Sequence, residues 1–400
     1  MPKKDNINFA KESLKLHEEL GGKIEVVPKK EVKDKRDLSL VYTPGVAEVC
    51  KKIAEDKISA KRLTIKKDTI AIVSDGSAIL GLGNLGPEAA LPVMEGKAVL
   101  FKEFGGINAV PLCIATQDTE EIINFVKNIA PTFGGINLED ISAPRCFEIE
   151  RRLKEDLNIP VFHDDQHGTA IVVLAALINS LKLAGKKLSD VKVVINGAGA
   201  AGTAIANLLN CVDCSKDECE KVKDIIVCDS KGIISKNRKD LKDNIYKKEL
   251  AEITNKENVE GTLKDAIKGV DIFIGVSKGN MLTKEMVNSM NENPIIFAMA
   301  NPLPEINPQE ALDAGAFIVG TGRSDYPNQI NNVLAFPGIF KGTMEAGARN
   351  ITNSMKIQAS HAIANSVENL SRENILPSPL SKQTHKNVAE AVRKMAEKEN

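Results

Sequence analysis

The sequence predicts an α/β protein in which an N-terminal mixed α/β domain precedes a doubly wound parallel sheet and a helical C-terminus. Three observations lead to this prediction. From Val191 onward, short apolar runs rich in β-branched residues alternate with helical segments, as in parallel sheets covered by helices. The Gly-rich stretch "GAGAAG" directly follows one such run. The chain has 400 residues, which is long for a single hydrophobic core and favours two or three domains.

Composition narrows the possible partners. Hydrophobic residues make up 42%, charged residues 27%, and the formal net charge is -1, so no electrostatic footprint for nucleic acid is present. Lysine clusters such as "PKKEVKDK" are interpreted as solvated surface. The start, "MPKKDNINFA", has no apolar signal core, and the apolar run after His167 is too short to span a bilayer. We therefore expect a cytoplasmic protein that contacts neither nucleic acid nor membrane.

The elements of the first part can be placed in order. "FAKESLKLHEEL" has helical apolar spacing, and "TIAIVSD" is a strand that enters a Gly-rich turn. "TEEIINFVKNIAPTFGG" is a capped amphipathic helix ended by Pro and Gly. "INLEDI" and "IPVFHDD" are interpreted as buried strands that end in acids.

The second part contains five predicted parallel strands, "VKVVI", "DIIVCD", "DIFIGVS", "PIIFAMANP" and "AFIVGTG". Beyond Gly338 the pattern is mostly helical. We predict an N-terminal domain over residues 1–161, a second domain over 162–337, and C-terminal helices over 338–400 that pack back on the first domain.

The pattern G-x-G-x-x-G occurs twice, and its surroundings distinguish the two copies. "GLGNLG" is separated from its strand by "DGSAI", and we interpret it as a substrate-side loop. "GAGAAG" opens a helix immediately after "VKVVI", the context of a Rossmann dinucleotide-binding turn whose backbone N–H groups face the pyrophosphate. The predicted cofactor-binding residues of this turn are Gly197, Ala198, Gly199, Ala200, Ala201 and Gly202.

Cofactor choice is predicted from the next strand. "DIIVCD" ends at Asp229, where a carboxylate accepts hydrogen bonds from the adenosine ribose and repels a 2′-phosphate. NAD is therefore expected to be preferred, while Lys231 and Lys236 lie close enough in sequence to make NADP possible.

A cysteine-rich insertion lies just before that strand. Four of the seven cysteines fall between Cys211 and Cys228, with one C-x-x-C in "CVDCSKDEC". A zinc ribbon needs a second pair. Free or locally paired thiols are therefore the favoured interpretation.

Clustered acids at predicted strand ends indicate a second site. Glu139 and Asp140 end "INLED", and Asp164 and Asp165 follow "VFH". Adjacent carboxylates are costly to bury without a cation, so they are either an exposed helix N-cap or ligands of a metal ion. Carboxylate ligands favour Mg²⁺ or Mn²⁺ over zinc. His163 and His167 flank the acids and are left out of the predicted ligand set.

Eight motifs in order resemble the malic enzymes, in particular their short prokaryotic form without the acyltransferase-like extension. The resemblance runs from about Tyr42 to Gly347 and rests on "VYTPGVAEVC", "ILGLGNLG", "MEGKAVLFKEFGGINAVPLC", "INLEDI", "FHDDQHGTA", "NGAGAAG", "ANPLPEI" and "NNVLAFPG".

The resemblance implies a role for each matching residue. Tyr42 and Lys97 correspond to the catalytic tyrosine and lysine, and Asp164 to the acid that supports the lysine. The implied metal ligands are Glu139, Asp140 and Asp165. Asn301 and Asn332 match amides on the substrate side, with Asn301 also near the cofactor and Asn331 as an alternative to Asn332. One position departs from the family: larger members carry an arginine where this chain has Ala78.

The implied reaction is the metal-assisted oxidative decarboxylation of (S)-malate to pyruvate and CO2 with reduction of NAD(P). In it Lys97 takes the proton of the C2 hydroxyl and Tyr42 protonates C3 of the enol, and a homodimer is expected. The alternatives are another two-domain NAD-dependent dehydrogenase, a malolactic-type enzyme, and a non-catalytic nucleotide-binding module.

Overall fold

A computed structural model of the protein describes residues 8–214 and 219–399. The first seven residues and positions 215–218 of the cysteine-rich insertion lie outside the described residues. The expectation of no signal peptide depends in part on those first seven residues.

The first part of the chain contains a four-stranded parallel sheet in the order β2-β1-β3-β4. The strands are β1 (Thr69–Ser74), β2 (Asn108–Cys113), β3 (Gly135–Leu138) and β4 (Val161–His163). β1, β3 and β4 are buried along their whole length, because helices cover both faces of a parallel sheet. The sheet therefore brings the acids that follow β3 and β4 to the same edge.

The second sheet has six strands in the order β10-β9-β8-β5-β6-β7, and all pairs are parallel except β6–β7. The strands are β5 (Lys192–Asn196), β6 (Asp224–Asp229), β7 (Gly232–Ile233), β8 (Ile272–Gly275), β9 (Ile295–Ala298) and β10 (Ile318–Thr321). The chain order reverses at β5, whose neighbours are β6 and β8, and ligands of doubly wound sheets bind at such a reversal. The predicted parallel α/β architecture is confirmed.

Sixteen α-helices are described. They are α1 (Phe9–Leu20), α2 (Lys35–Val41), α3 (Val46–Glu55), α4 (Ala60–Leu63), α5 (Pro87–Leu100), α6 (Thr119–Ile129), α7 (Arg145–Asp156), α8 (Asp164–Ala184), α9 (Ala200–Leu209), α10 (Ile245–Ile253), α11 (Leu263–Ala266), α12 (Lys284–Asn288), α13 (Pro308–Asp313), α14 (Phe336–Glu345), α15 (Asn353–Asn365) and α16 (Lys382–Glu399).

Helix α8 lies at the centre of the molecule. It carries the apolar run "IVVLAALINSL" and packs against α9 and α15. It has the length and apolar character of a membrane span, but 67% of its most apolar window is buried within the protein. Its N-terminus holds Asp164 and Asp165, so the core fixes the position of both acids.

The C-terminal helices pack on one another and on both earlier parts of the chain. α16 contacts α14 and α15, and α15 contacts α8. Phe336 at the start of α14 packs against Phe101, with the rings tilted and their centroids 4.7 Å apart. The domain division at residues 161 and 337, with C-terminal helices that pack back on the first domain, stays a prediction. In the cysteine-rich insertion, Cys211 and Cys219 form a disulfide.

The segment from α1 to α3, which we call the N-terminal arm (residues 8–55), has no buried residue in any of its three helices. Its hydrogen bonds to the rest of the chain include those of Lys23 to Glu95 and Pro92, and of Lys29 to Asp68. Large apolar side chains of the arm are exposed, among them Phe9 and Val26. The arm therefore presents an apolar surface that the described part of the chain does not cover.

Candidate active site

A cleft of about 690 Å³ lies where the carboxyl ends of the two sheets face each other. From the first part it is lined by Lys97, Glu139 and Asp140, and from α8 by Asp165. The loop after β5 adds residues 199–201, and Asn301, Asn331 and Asn332 line the far side. The cleft thus collects three of the four predicted acids, the lysine, part of the glycine turn and the amides.

Three carboxylates form the floor of the cleft. Glu139, Asp140 and Asp165 each offer one oxygen, and these oxygens lie within 4.8 Å of one another. Asp165 Oδ2 accepts the backbone N–H of Asp140 at 2.8 Å, which ties the end of β3 to the start of α8. Asp140 Oδ2 is buried without a hydrogen-bond partner. An orphaned carboxylate oxygen beside two further carboxylates suits a hard divalent cation, so these residues fit the predicted metal site.

Burial and mutual repulsion raise the pKa values of the three acids. Burial is the larger cause for Asp140, and with Asp165 and Glu139 beside it the pKa reaches about 9. The pKa of Asp165 rises to about 6, again chiefly through burial, with Lys97 opposing the rise. The pKa of Glu139 is also raised by burial and by Asp165. Without a cation, the cluster therefore retains protons at neutral pH.

Lys97 of α5 lies between two of the acids and is 7% exposed. Its Nζ pairs with Glu139 Oε1 at 2.7 Å and donates to Asp164 Oδ2, and it lies 4.2 Å from the centre of the Phe336 ring. Burial alone would lower the pKa of Lys97, but the carboxylates of Asp164 and Glu139 outweigh burial and raise the pKa well above its usual value. Asp164 Oδ2 also accepts from the side-chain amide of Asn332, so Asp164 orients both groups.

The two histidines near the acids differ in their contacts: neither ring nitrogen of His163 has a hydrogen-bond partner, whereas His167 is bonded to Glu150. His163 is fully buried, and its Nε2 lies 3.3 Å from Asp165 Oδ2. His167 pairs through Nε2 with Glu150 Oε2 at 2.8 Å. Burial lowers the pKa of His163 to about 4 and that of His167 to about 3. Both rings are therefore neutral, and His167 points away from the cleft toward Glu150.

The glycine turn after β5 has the geometry for close approach of a phosphate. Gly197 has φ 131, a conformation that favours glycine. A Cβ on Gly202 would lie 1.8 Å from the carbonyl oxygen of Gly197, so only glycine permits this packing of α9 on its strand. At Gly199 a Cβ would meet nothing within 4 Å, and α9 begins at the next residue. The helix N-terminus is thus open to an anion.

Asp229 lies at the end of β6, beside this turn, and two cations hold its carboxylate. Arg238 donates to Oδ1 at 2.8 Å and to Oδ2 at 3.1 Å, and Lys247 Nζ donates to Oδ2 at 2.6 Å. Burial would raise the pKa of Asp229, but these hydrogen bonds outweigh burial and lower the pKa. The negative charge at this position is therefore compensated.

The remaining predicted residues fall in two places. Asn301 and Asn332 line the cleft, and so does Ala78, whose backbone N–H donates to the carbonyl oxygen of Asp140 at 2.9 Å. Ala78 brings no charge, and among the lining residues of the described chain Lys97 is the only cation. Tyr42 follows α2 in the N-terminal arm, is 67% exposed, and does not line the cleft. The single chain does not bring Tyr42 to the other predicted residues.

Sequence reasoning missed several residues that shape the cleft. Glu305 is fully buried and accepts the backbone N–H groups of Ser277 and Ala300, which fixes two loops of the second sheet. Its position in "ANPLPEI" was the available signal. Arg238 and Lys247 lie 9 and 18 residues after Asp229, and no spacing rule indicates them.

Fold and cleft together define a nicotinamide-dinucleotide oxidoreductase with a cluster of carboxylates beside a buried lysine. The family description "Malic enzyme, NAD binding domain" matches residues 166–397, and "Malic enzyme, N-terminal domain" matches residues 21–120 and 115–154. The chain belongs to the malic enzyme family.

Individual relatives agree with this assignment. The chain is 54% identical over 392 residues to the bifunctional malic/malolactic enzyme of Bacillus subtilis, which covers 98% of this chain and 93% of the relative. It is 49% identical to the NADP-dependent malic enzyme of Haemophilus influenzae over 88% of this chain and 46% of the relative. The crystal structure of the NAD-dependent malic enzyme of Thermotoga maritima superposes with a TM-score of 0.90 at 51% identity, over 95% of this chain and 98% of that one. Relatives named for NAD and for NADP thus both occur.

Proposed function

We propose that this protein catalyses the oxidative decarboxylation of (S)-malate to pyruvate and CO2 with reduction of NAD(P). The observation that carries the proposal is the placement of Lys97, paired with Asp164 and Glu139, in the same cleft as the three carboxylates and the glycine turn. A dehydrogenase without metal chemistry has no need of such a cluster. Metal-free protein given malate and NAD should form no NADH until Mn²⁺ is added, and full turnover in excess EDTA would overturn the proposal.

Glu139, Asp140 and Asp165 would hold Mg²⁺ or Mn²⁺. Bound there, the cation would supply Lewis-acid stabilisation of the charge that develops on the C2 oxygen as CO2 leaves. Glu139 has a second role, because its Oε1 also pairs with Lys97 at 2.7 Å. A change in the charge of Glu139 is therefore felt directly by the lysine.

Lys97 would accept the proton of the C2 hydroxyl, and Asp164 holds it in place. In the metal-free protein, Asp164 and Glu139 keep the amine of Lys97 protonated. A general base, however, must be able to lose its proton near the working pH. With Glu139 engaged as a metal ligand, its stabilisation of the protonated amine would weaken, and burial of Lys97 would then favour the neutral amine. Asn332 donates to the same oxygen of Asp164 and helps to fix the carboxylate beside the lysine.

NAD is proposed as the preferred cofactor by a small margin, with NADP accepted. Asp229 supplies the acceptor for the ribose hydroxyls, which favours NAD. Arg238 and Lys247 contact the same carboxylate and would face a 2′-phosphate, which favours NADP. Because the two tendencies oppose each other, the difference between the cofactors should be modest.

Tyr42 is proposed to reach the cleft from the second subunit of a homodimer. Its own chain leaves Tyr42 exposed in the N-terminal arm, yet the family resemblance implies that it protonates C3. The described residues also leave the rim of the cleft exposed: Leu80, which lines the cleft, and Leu82 and Leu85 of the adjoining "GLGNLG" loop are 57%, 62% and 51% exposed. The arm and the rim are two exposed apolar surfaces on one chain. In a homodimer the arm of each copy would cover the rim of the other.

Mixing two inactive variants tests this arrangement. Tyr42→Phe removes only a hydroxyl from the arm, and Lys97→Ala removes the amine from the cleft. If the arm crosses to the partner, a hybrid dimer of the two variants has one site with both wild-type residues. Random re-association then restores roughly a quarter of wild-type activity, because half of the dimers are hybrids and one of their two sites is intact. Mixtures that stay inactive despite subunit exchange would contradict the shared site.

The malolactic reaction is the second candidate, because the Bacillus subtilis relative carries that name as well. It differs by producing lactate with no net NADH. The cytoplasmic location predicted from the sequence remains a prediction.

A further inference from the structure

A second cavity, of about 390 Å³, lies on another face of helix α8. Asp165 and Thr169 of α8 line the active-site cleft, whereas Gln166, His167 and Ala170 line this second cavity. The two cavities share no lining residue, because successive residues of a helix point about 100° apart. The second cavity is closed by α9 and by the N-terminus of α15 and is not part of the proposed catalytic site.

Lys356 of α15 lines this cavity and is 4% exposed. Its Nζ lies 3.1 Å from His167 Nδ1 and 2.9 Å from Asn353 Oδ1. Both partners accept hydrogen bonds from the amine: His167 donates to Glu150 through Nε2, so its Nδ1 faces Lys356 with a lone pair, and Asn353 offers a carbonyl oxygen. Among residues 8–214 and 219–399, no carboxylate oxygen lies within the 4.0 Å of a salt bridge to Lys356 Nζ. A buried ammonium group without a counter-ion is costly.

The nearest acid that could compensate Lys356 is already engaged. Glu150 Oε1 pairs with Lys154 Nζ at 2.8 Å and accepts the backbone N–H of His163 at 3.0 Å. Its Oε2 accepts from His167. Lys154 and Lys356 thus face two carboxylates, those of Glu150 and Asp213, and neither carboxylate makes an ion pair with Lys356. Among the described residues the buried amine of Lys356 therefore faces the cavity without a salt bridge.

We infer that this cavity is a second ligand site, which binds a small oxyanion, a carboxylate or a phosphate group, against Lys356. The cavity has room for several non-hydrogen atoms beside the ammonium group, and the side-chain amide of Asn207 on its wall offers a further donor. The N-terminus of α15, a helix of 13 residues that begins at Asn353, adds its positive end to the attraction. Burial lowers the pKa of Lys356 to about 7, and a bound anion would reverse this by pairing with the charged amine.

The site is placed to influence the metal ligands without touching them. From Lys356 the contacts run to His167, from His167 to Glu150, and from Glu150 to the backbone N–H of His163. His163 lies 3.3 Å from Asp165, one of the proposed ligands. The inference itself concerns binding and holds or fails independently of the proposed reaction.

Calorimetric titration of phosphate, and separately of succinate, tests the inference. The protein is kept in EDTA and saturated with NADH, so that the dinucleotide site is filled, and ionic strength is held constant with sodium chloride. Wild type should bind one anion per chain. Lys356→Met keeps the apolar stem and removes the charge, and it should weaken binding about 10- to 100-fold, the range for a lost hydrogen bond to a charged group.

Two further variants guard against a folding defect and a general charge effect. Asn207→Asp places a carboxylate on the cavity wall, where it competes for Lys356, and it should weaken binding at least about tenfold. Lys248→Met removes one exposed lysine of α10 and should leave binding unchanged. The anion that binds with the higher affinity, phosphate or succinate, identifies the ligand class as phosphate or carboxylate. Binding of neither anion by wild type, equal binding by Lys356→Met and Asn207→Asp, or equal weakening by Lys248→Met would each overturn the inference.

Discussion

Binding of Mn²⁺ to the metal-free protein should release about one proton per chain at neutral pH. The prediction depends on the pKa values of the acid cluster, about 9 for Asp140 and about 6 for Asp165. At neutral pH the first group is almost wholly protonated and the second is roughly one-tenth protonated. Because a metal ligand must be deprotonated, this total of about one proton is displaced on binding, and the apparent affinity for Mn²⁺ should rise about tenfold between pH 7 and pH 8.

The raised pKa of Asp140 also makes the stability of the metal-free protein depend on pH. The pKa of Asp140 is raised in the folded state above its unfolded value of about 3.9, so the folded state binds more protons than the unfolded state. Stability therefore falls as pH rises from about 5 toward 9, and saturating Mn²⁺ should remove this dependence. Calorimetric titration in two buffers of different ionisation enthalpy measures the protons released. Tyr42→Phe should release the same number and Asp140→Asn fewer; a wild-type value of zero at neutral pH would refute the reasoning.

Three further predictions concern individual side chains. Lys97→Met should lower the rate of hydride transfer by about three orders of magnitude or more, because the base for the C2 hydroxyl is lost; stopped-flow absorbance of NADH measures it, and a rate within tenfold of wild type would contradict the assignment. Tyr42→Phe should slow exchange of the pyruvate methyl protons in D2O, followed by proton NMR with Mn²⁺ and NADH, by about two orders of magnitude or more. The same variant should still reduce oxaloacetate, and undiminished exchange would show that another group is the acid. Arg238→Gln and Lys247→Gln should each lower the ratio of kcat/KM for NADP to kcat/KM for NAD by about tenfold. Lys248→Met is the control and should leave this ratio unchanged. The same ratio in the two Gln variants as in wild type would show that neither residue affects cofactor choice.

The parallel sheets and the grouping of the acids could be predicted because each depends on local pattern. Apolar runs bounded by Gly, Asn and Asp identify strands, and the carboxyl ends of parallel strands meet at one edge of a sheet. Glu139 and Asp165 lie 26 positions apart but come together because β3 and β4 are hydrogen-bonded neighbours. The position of the glycine turn followed from the strand that precedes it and the helix that it opens.

Contacts between distant or unpatterned positions could not be predicted. Lys356 and His167 are 189 residues apart, and only the packing of α15 on α8 brings them together. The surroundings of Asp229 depend on Arg238 and Lys247, which come from a loop and from α10 and follow no motif. The role of Tyr42 is implied by the family resemblance, which does not say where the residue lies in the structure. In the single chain its side chain is exposed to solvent. The proposed homodimer would supply that position, and the local pattern of a single sequence does not show such an assembly.

The stoichiometry of the reaction distinguishes oxidative decarboxylation from its alternatives. Purified protein is given (S)-malate, Mn²⁺ and NAD, and NADH, pyruvate and lactate are followed in the same sample. We predict one NADH and one pyruvate for each malate consumed, with no lactate, and no consumption in EDTA. Lactate without net NADH would show a malolactic enzyme, and oxaloacetate as the end product, or no turnover of malate, would contradict the proposed decarboxylating dehydrogenase.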